Sequence, residues 1–90
     1  MIIVSGKLFI AAGQRETFLR SSHEAMVLAR QTKGCHDFVV AADPIIPDRV
    51  NVYEEWDSEA NLEMFRGSGP DNTLTELIVR ADVSQYQVMS

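Results

Sequence analysis

The sequence has little cysteine, fewer basic than acidic residues and no long apolar run. Cys35 is its one cysteine, so no internal disulfide can form and a disulfide scaffold is excluded. Eight Lys and Arg against thirteen Asp and Glu give a net charge of -5, the wrong sign for binding nucleic acid or an anionic membrane surface. No segment reaches the roughly 18 apolar residues of a membrane span. These absences predict a soluble protein of the reducing cytoplasm, with neither nucleic acid nor membrane as a partner.

Motifs that hold metals or nucleotides are also missing. Cys35 and His36 are adjacent, but two ligands without a third do not make a metal site. The GSGP stretch at 67–70 lacks the GxGxxG spacing and the lysine of a phosphate-binding loop. Its place after a predicted helix suggests a lid over a pocket instead. The sequence therefore predicts no metal and no cofactor.

The apolar pattern predicts one domain over residues 1–90. Runs rich in Ile, Val and Phe predict four strands, at 1–13, 35–42, 49–57 and 78–89. A helical period, with Ser58 as the N-cap of the second helix, predicts helices at 14–33 and 59–66 and a short third one at 71–77. The order strand, helix, strand, strand, helix, strand is that of a ferredoxin-like α+β fold, with an antiparallel sheet and both helices on one face.

Both faces of the first predicted strand are apolar. Ile2 and Val4 lie on one face, and Ile3 and Phe9 lie on the other. Two helices can cover only one face of the sheet, so the second face should be buried by another copy of the chain. The sequence therefore predicts a homodimer with a two-fold axis.

Four stretches carry a resemblance to a known family. They are the first strand that ends at Gly13 before a long helix, the Gly34–Cys35 entry to the second strand, the segment VYEEWDSEANLEMF, and the closing DVSQYQV. With them the whole chain resembles an antibiotic biosynthesis monooxygenase domain of the dimeric α+β barrel superfamily.

The resemblance implies a dimeric protein with a pocket between helices and sheet in each subunit. It also implies a cofactor-independent monooxygenase, which oxidises a small aromatic or quinol-like substrate with molecular oxygen. In that mode the substrate phenolate gives an electron to oxygen. The protein supplies a dry pocket, orientation and a proton acceptor.

Two departures narrow what the resemblance implies. Haem-degrading relatives use an Asn on the first strand, a Trp on the third and a His after the second helix. Here Trp56 matches, but Gly6 stands at the strand position and no His follows the helix. Many quinol-type relatives place a His within the second helix, where this chain has Phe65. Haem degradation and a His-based mechanism are therefore both disfavoured.

Three residues are candidates for chemistry, and each has a structural alternative. Trp56 would line the pocket and use its indole N–H to orient a substrate oxygen, or it belongs to the core or dimer interface. Glu54, two residues earlier on the same face, would be a partly buried general base, or it forms a salt bridge to Arg49 or Arg80 within the subunit or across the dimer. His23, beside the buried stripe of the first helix, would be a base, or it is solvated.

Five further residues are candidates for contacting the substrate. They lie on the predicted inner sides of helices and sheet, where core packing is the alternative interpretation. They are Phe18, Ser22, Phe38, Met64 and Phe65. The alternative function for the whole chain is a non-catalytic small-molecule-binding or stress-response dimer of the same fold.

Overall fold

A computed structural model of the protein describes residues 1–67 and 72–89. The elements follow the predicted order, which is that of two successive βαβ units. They are β1 (Ile2–Ile10), α1 (Arg15–Arg30), β2 (Cys35–Ala42), β3 (Arg49–Trp56), α2 (Glu59–Gly67), a 3-10 helix (Asn72–Leu77) and β4 (Ile78–Gln87). The prediction of a ferredoxin-like α+β fold is confirmed. The predicted lid falls largely on residues 68–70, which lie outside the described residues.

The four strands form one antiparallel sheet in the order β2-β3-β1-β4. β1 lies in the centre and pairs with both β3 and β4. Its register with β3 sets Ile2 opposite Trp56 and Val4 opposite Glu54. Because directly opposed residues point to the same side of a sheet, these four side chains share one face.

That face, the helix face, is covered by α1 and α2. On β3 its residues are Val50, Val52, Glu54 and Trp56, all of them buried. The opposite face, here called the open face, has no layer over it in the single chain. It is formed by alternate residues of all four strands, namely Ile3, Ser5, Lys7, Phe9, Asp37, Val39, Ala41, Arg49, Asn51, Tyr53, Glu55, Arg80, Asp82, Ser84 and Tyr86.

The helix α1 is shorter than its predicted span of 14–33. Gln14 is its N-cap residue, and Gln31 caps its C-terminus in the right-handed helical conformation. The chain then turns through Gly34, whose φ of 87° lies in the left-handed region that favours glycine. The three predicted helical residues 31–33 thus lie in the turn that leads into β2. Among the described residues, no helix has the length and apolarity needed to cross a bilayer.

Gly6 lets β1 and β4 approach each other closely. A Cβ atom at this position would lie 2.2 Å from the carbonyl oxygen of Asp82 and 2.6 Å from the Cα of Val83. Both are backbone atoms, which cannot rotate away as a flexible side chain can. A side chain at position 6 would therefore push β4 away from β1.

Polar contacts hold the loop between β2 and β3 in one conformation. The Arg15 guanidinium donates hydrogen bonds to the backbone carbonyls of Asp43, Ile46 and Arg49 at 3.0–3.3 Å. The Asp43 carboxylate accepts hydrogen bonds from the backbone N–H of Ile46 and from the Asn51 amide. These two bonds are the largest contributions that lower the pKa of Asp43 to about 2.

Candidate functional site

The buried side chains of the helix face fall into two apolar clusters. The first contains Trp56 with Ile2, Val4, Ala29, Leu62 and Phe65. The second contains Ile10, Phe18 and Val50. Gly6 on β1, Ser22 on α1, and Val52 and Glu54 on β3 belong to neither cluster and lie between them. We call this boundary the seam and define it by Gly6, Ser22, Val52 and Glu54.

The seam holds both of the buried polar side chains among the described residues. Ser22 is 4% exposed and Glu54 is 8% exposed. The Ser22 hydroxyl donates a hydrogen bond to the Phe18 carbonyl at 2.7 Å, within α1. A serine hydroxyl that donates in this way can still accept a hydrogen bond. Polar groups in an otherwise apolar interior are costly unless they have partners, so their presence marks this region as a candidate site.

Glu54 and Trp56 form a buried pair. The indole Nε1–H donates a hydrogen bond of 2.9 Å to Oε1 of Glu54. The other carboxyl oxygen makes no hydrogen bond to a described residue. No side-chain oxygen in the described part of the chain is both fully buried and without a partner. Glu54 as a whole is 8% exposed, so only a small part of its surface is accessible.

Burial raises the pKa of Glu54. The Trp56 hydrogen bond and the charge of Arg66 act in the opposite direction, because both favour the carboxylate. A carboxyl group in this environment holds its proton to a higher pH than an exposed glutamate does. As a carboxylate it is accordingly a stronger base, which is the property required of a proton acceptor.

An aromatic wall lies beside this pair. The Phe65 ring centroid lies 5.4 Å from that of Trp56, with the planes tilted by 37°. Phe38 meets Phe65 edge-on with its centroid 5.8 Å away. Such offset and edge-to-face contacts are favourable arrangements of aromatic rings. They fix the ring of Trp56 and surround the carboxyl of Glu54 with apolar surface.

The start of α2 holds Phe65 in place over the strands. The Ser58 hydroxyl accepts a hydrogen bond from the Asn61 backbone N–H at 3.2 Å, which confirms Ser58 as the N-cap. The Asn61 side chain packs against Gly34, where a Cβ atom would lie 2.2 Å from its Nδ2. The backbone N–H of Asp57 donates to the Gly34 carbonyl at 2.7 Å. These contacts tie α2 to the start of β2.

The remaining candidate residues lie apart from this group. Phe18 is buried in the second cluster, and Ser22 lies at the seam. Met64 is 73% exposed and His23 is also exposed, so both lie on outer helix surfaces. The structure thus brings together Trp56, Glu54, Phe38 and Phe65 out of the residues singled out in the sequence.

Within the subunit, Glu54 forms no salt bridge to Arg49 or Arg80. Arg49 lies on the open face and pairs with Asp43 at 3.4 Å. Arg80 lies on the same face with its guanidinium 4.4 Å from the centroid of the Phe9 ring. Glu54 points to the helix face and takes the Trp56 indole as its partner instead. The alternation of β3 separates Arg49 from Glu54, since residues an odd number apart point to opposite faces.

Cys35 and His36 have different surroundings and do not act together. The Cys35 thiol packs beside the first cluster, and its pKa is raised by burial and then by the negative charge of Glu54. It is therefore a protonated thiol rather than a nucleophile. The His36 imidazole contacts the Asp57 carboxylate at the surface. Within the described residues, no group of three or more His, Cys, Asp or Glu side chains is placed to hold a metal ion.

A groove on the open face was not predicted from the sequence. It has a volume of about 380 Å³, and its lining includes Ser5, Lys7, Asn51 and Tyr53. The sequence pattern that could have indicated the groove is the alternation along β1 and β3, which places Ser5, Lys7, Asn51 and Tyr53 on one face of the sheet. The apolar residues of the open face predicted that this face is buried, but they did not predict a groove lined by polar residues at its centre.

Comparison with known proteins finds one matching family and several solved structures with a similar fold. Residues 1–70 match the family model described as antibiotic biosynthesis monooxygenase. A candidate antibiotic biosynthesis monooxygenase from Deinococcus radiodurans has a similar structure, with a TM-score of 0.85 and 20% identity over 100% of this chain and 94% of that one. One from Nitrosomonas europaea has a TM-score of 0.87 and 11% identity, with both chains covered completely.

A third similar structure is described only as that of a conserved protein. It is a conserved protein from Methanosarcina mazei Go1, with a TM-score of 0.82 and 20% identity over 96% of this chain and 90% of that one. No curated protein matches the chain. At these identities the likeness shows a shared fold, and a fold by itself does not determine an activity.

Proposed function

Because the chain belongs to the antibiotic biosynthesis monooxygenase family, we propose that it is a cofactor-independent monooxygenase that oxidises a small aromatic or quinol-like substrate with molecular oxygen. The observation that supports this most directly is the buried Glu54 carboxyl, which has a raised pKa and one oxygen that is not hydrogen-bonded to a described residue. In this proposal the substrate lies at the seam, next to the aromatic wall.

The proposed reaction needs only a proton acceptor, a dry site and oxygen. Glu54 takes the phenolic proton of the substrate, and the resulting phenolate gives one electron to O₂. The substrate radical and the superoxide radical combine at a ring carbon that bears hydrogen, and the peroxide formed takes the proton back from Glu54. Loss of water then leaves a carbonyl there. Overall a CH₂ group and O₂ become C=O and H₂O, so one oxygen atom enters the product and the other leaves as water.

Trp56 is a positioning residue in this scheme. Its indole N–H donates to Glu54 and is therefore not available to a substrate oxygen while that bond is intact. The bond aims the second carboxyl oxygen and moderates how far burial raises the pKa of Glu54. Phe38 and Phe65 exclude water, which strengthens the electrostatic interactions of the site.

We also propose that the protein acts as a homodimer in the cytoplasm. The open face exposes Tyr53 and Tyr86, which are 36% and 52% exposed, and its central strand contributes Ile3 and Phe9. A second copy would bury this apolar surface. A cytoplasmic location is consistent with Cys35, a free thiol of raised pKa.

The test is oxygen uptake with a panel of anthrones and quinols and no added metal or flavin. The wild-type protein should consume one O₂ per substrate and transfer one ¹⁸O atom from ¹⁸O₂ to the product. Glu54→Gln should lose about a hundredfold or more of the rate, the range of general base catalysis. His23→Ala is the matched control, because His23 is exposed on α1, and it should retain full activity.

The alternative, a non-catalytic small-molecule-binding dimer, is favoured by one observation. Trp56 is 0% exposed, as a purely structural tryptophan would be. A panel compound that raises the melting temperature in a saturable way but is never oxidised would support this alternative. Uptake that is equal in wild type and Glu54→Gln would refute Glu54 as the base.

A further inference from the structure

The last strand, β4, extends beyond the two helices that cover the helix face. The helix α1 packs mainly on β2 and α2 on β3, whereas every residue of β4 from Val79 to Gln87 is exposed. The register with β1 sets Gln85 opposite the buried Val4 and Val83 opposite Gly6, so alternate side chains of β4 point to the helix face. This part of the helix face therefore lies open beside the seam.

One row of residues crosses the sheet from the seam to this open part. Val52 on β3, Gly6 on β1 and Val83 on β4 are opposed in the two registers. Val52 is 8% exposed and Val83 is 39% exposed. Gly6 has no side chain, so the row has a gap between two valines that lie about 10 Å apart, twice the spacing of neighbouring strands. The row thus has one buried end, one open end and no side chain at its centre.

Two polar side chains flank this gap. Glu54 and Gln85 are both opposed to Val4, from its two sides. Each therefore lies diagonally across from Gly6, about 7–8 Å away, a separation that long side chains can span. A ring placed over Gly6 would have a carboxyl group on one side and an amide on the other.

The seam has a proton acceptor but no free side-chain donor among the described residues. The indole N–H of Trp56 donates to Glu54, and a carboxylate only accepts. The Ser22 hydroxyl donates to the Phe18 carbonyl. The Gln85 side chain makes no hydrogen bond within the described part of the chain, and its amide carries two N–H donors. Gln85 is therefore the available donor beside the gap.

We propose that Gln85 is a specificity-determining residue of the substrate site, and that its amide donates a hydrogen bond to a second oxygen on the substrate ring. The ring lies over Gly6 with its phenolic hydroxyl at Glu54. The assignment of Gln85 rests on the proposed function and narrows the substrate class. It favours aromatic rings that carry an oxygen para to the hydroxyl over rings that carry the hydroxyl alone.

The position of the two side chains selects the para arrangement. Glu54 and Gln85 lie on strands on opposite sides of β1, and each hydrogen bond spans about 2.7–3.0 Å. Oxygens on adjacent ring carbons would both point towards the same strand, so only one of the two side chains could reach them. Para oxygens point in opposite directions, one towards β3 and the other towards β4. Gln85 would thereby hold the ring with its hydroxyl facing the base.

The test is ligand binding by isothermal titration calorimetry in the absence of oxygen, so that no ligand is oxidised. The probes are 4-methoxy-1-naphthol, which has an ether oxygen para to its hydroxyl, and 4-ethyl-1-naphthol, which has a methylene group in place of that oxygen. Gln85→Leu should weaken binding of the methoxy compound about threefold to tenfold, the effect of one neutral hydrogen bond. It should not weaken binding of the ethyl compound, because leucine retains apolar contacts with the ligand.

Gln87→Leu is the matched control. Gln87 is also exposed on β4, but it is opposed to Ile2, which is opposed to Trp56, four positions along β1 from Gly6. Gln87→Leu should keep the wild-type ratio of the two dissociation constants. Gln85→Glu removes the donor in a second way, since a carboxylate only accepts, and should change the ratio as Gln85→Leu does. It provides the measurement if Gln85→Leu does not fold by circular dichroism.

The role of Gln85 and the proposed function fail in different ways. An unchanged ratio in the Gln85 variants, or an equal change in Gln87→Leu, overturns the role of Gln85. A wild-type protein that binds neither probe overturns the substrate site, and the role of Gln85 with it. Binding with the expected change of ratio, but no oxygen uptake with any quinol or anthrone, refutes the monooxygenase and retains Gln85 as a ligand-binding residue.

Discussion

Replacing Trp56 with phenylalanine tests the buried pair without requiring a substrate. The change removes the indole donor from Oε1 of Glu54, 2.9 Å away, and shortens a ring that is 0% exposed. A hydrogen bond to a charged group contributes about 1.5–3 kcal/mol and one to a neutral group about 0.5–1.5 kcal/mol. Lost packing adds roughly 1 kcal/mol or more. Trp56→Phe should therefore lower the free energy of unfolding by about 2.5–4 kcal/mol at a pH where Glu54 is ionised.

A double-mutant cycle with Glu54→Gln separates the two contributions. The packing loss is the same in both backgrounds and cancels, whereas the hydrogen bond to the neutral glutamine is weaker. The coupling free energy should be about 1–2 kcal/mol when Glu54 is ionised and should fall towards zero when it is protonated. Urea denaturation of the four proteins across a pH series measures this directly.

The pH dependence has a definite sign. Burial raises the pKa of Glu54 in the folded state, so folding favours the protonated form. Wild-type stability relative to Glu54→Gln is then greatest below the unfolded pKa and is lost as the pH rises through the folded pKa. Trp56→Phe removes a hydrogen bond that lowers the pKa of Glu54, so this loss of stability should occur at higher pH in the variant. Two results would refute the hydrogen bond between Glu54 and Trp56. One is a coupling free energy of zero at every pH, and the other is a loss of stability that occurs at the same pH in wild type and in Trp56→Phe.

Three further substitutions test other contacts. Gly34→Ala should cost about 1–2 kcal/mol for its left-handed backbone and more for the contact with Asn61; adding Asn61→Ala should recover part of this in urea denaturation, and no recovery would contradict the contact. Gly6→Ala should cost about 2 kcal/mol or more, because its Cβ meets the backbone of Asp82; an unchanged melting temperature would contradict this close approach. The pKa of Asp43 is lowered from 3.8 to about 2, so its stabilisation is present above the unfolded pKa and lost as the pH falls through the folded one. The stability of Asp43→Asn should therefore fall less than that of wild type between these pH values. An unchanged pH dependence below the unfolded pKa would contradict the lowered pKa of Asp43.

Local patterns were enough to predict the order of the elements. The period-2 pattern of β1 and β3 assigned Ile3 and Glu54 to the correct faces, and Ser58 was correctly identified as the start of α2. Helix ends were less predictable, because residues 31–33 have helical propensity and the turn depends on how Gly34 meets Asn61. That contact joins residues far apart in sequence, and a local pattern does not contain it.

The sequence predicted which residues form the candidate site better than it predicted how they contact each other. Spacing placed Glu54 and Trp56 on one face, and the structure joins them by a hydrogen bond. The same reasoning did not show that Met64 turns outward, since α2 has only nine residues and their period leaves its buried side uncertain by one position. The charges of the open face follow from the register of four strands, which a single sequence does not specify.

The division of the core at the seam has a consequence for how this protein can change over generations. Ile2 with Leu62 on one side and Ile10 with Val50 on the other form separate packed units. Val52 and Ser22 belong to neither cluster, so a substitution at either position leaves the packed side chains of both units in place. New side chains at Val52 or Ser22 can therefore reshape the proposed substrate site while the fold is retained. Selection for a different ligand would act first at these positions, and diversity among descendants should accumulate there before it reaches either cluster.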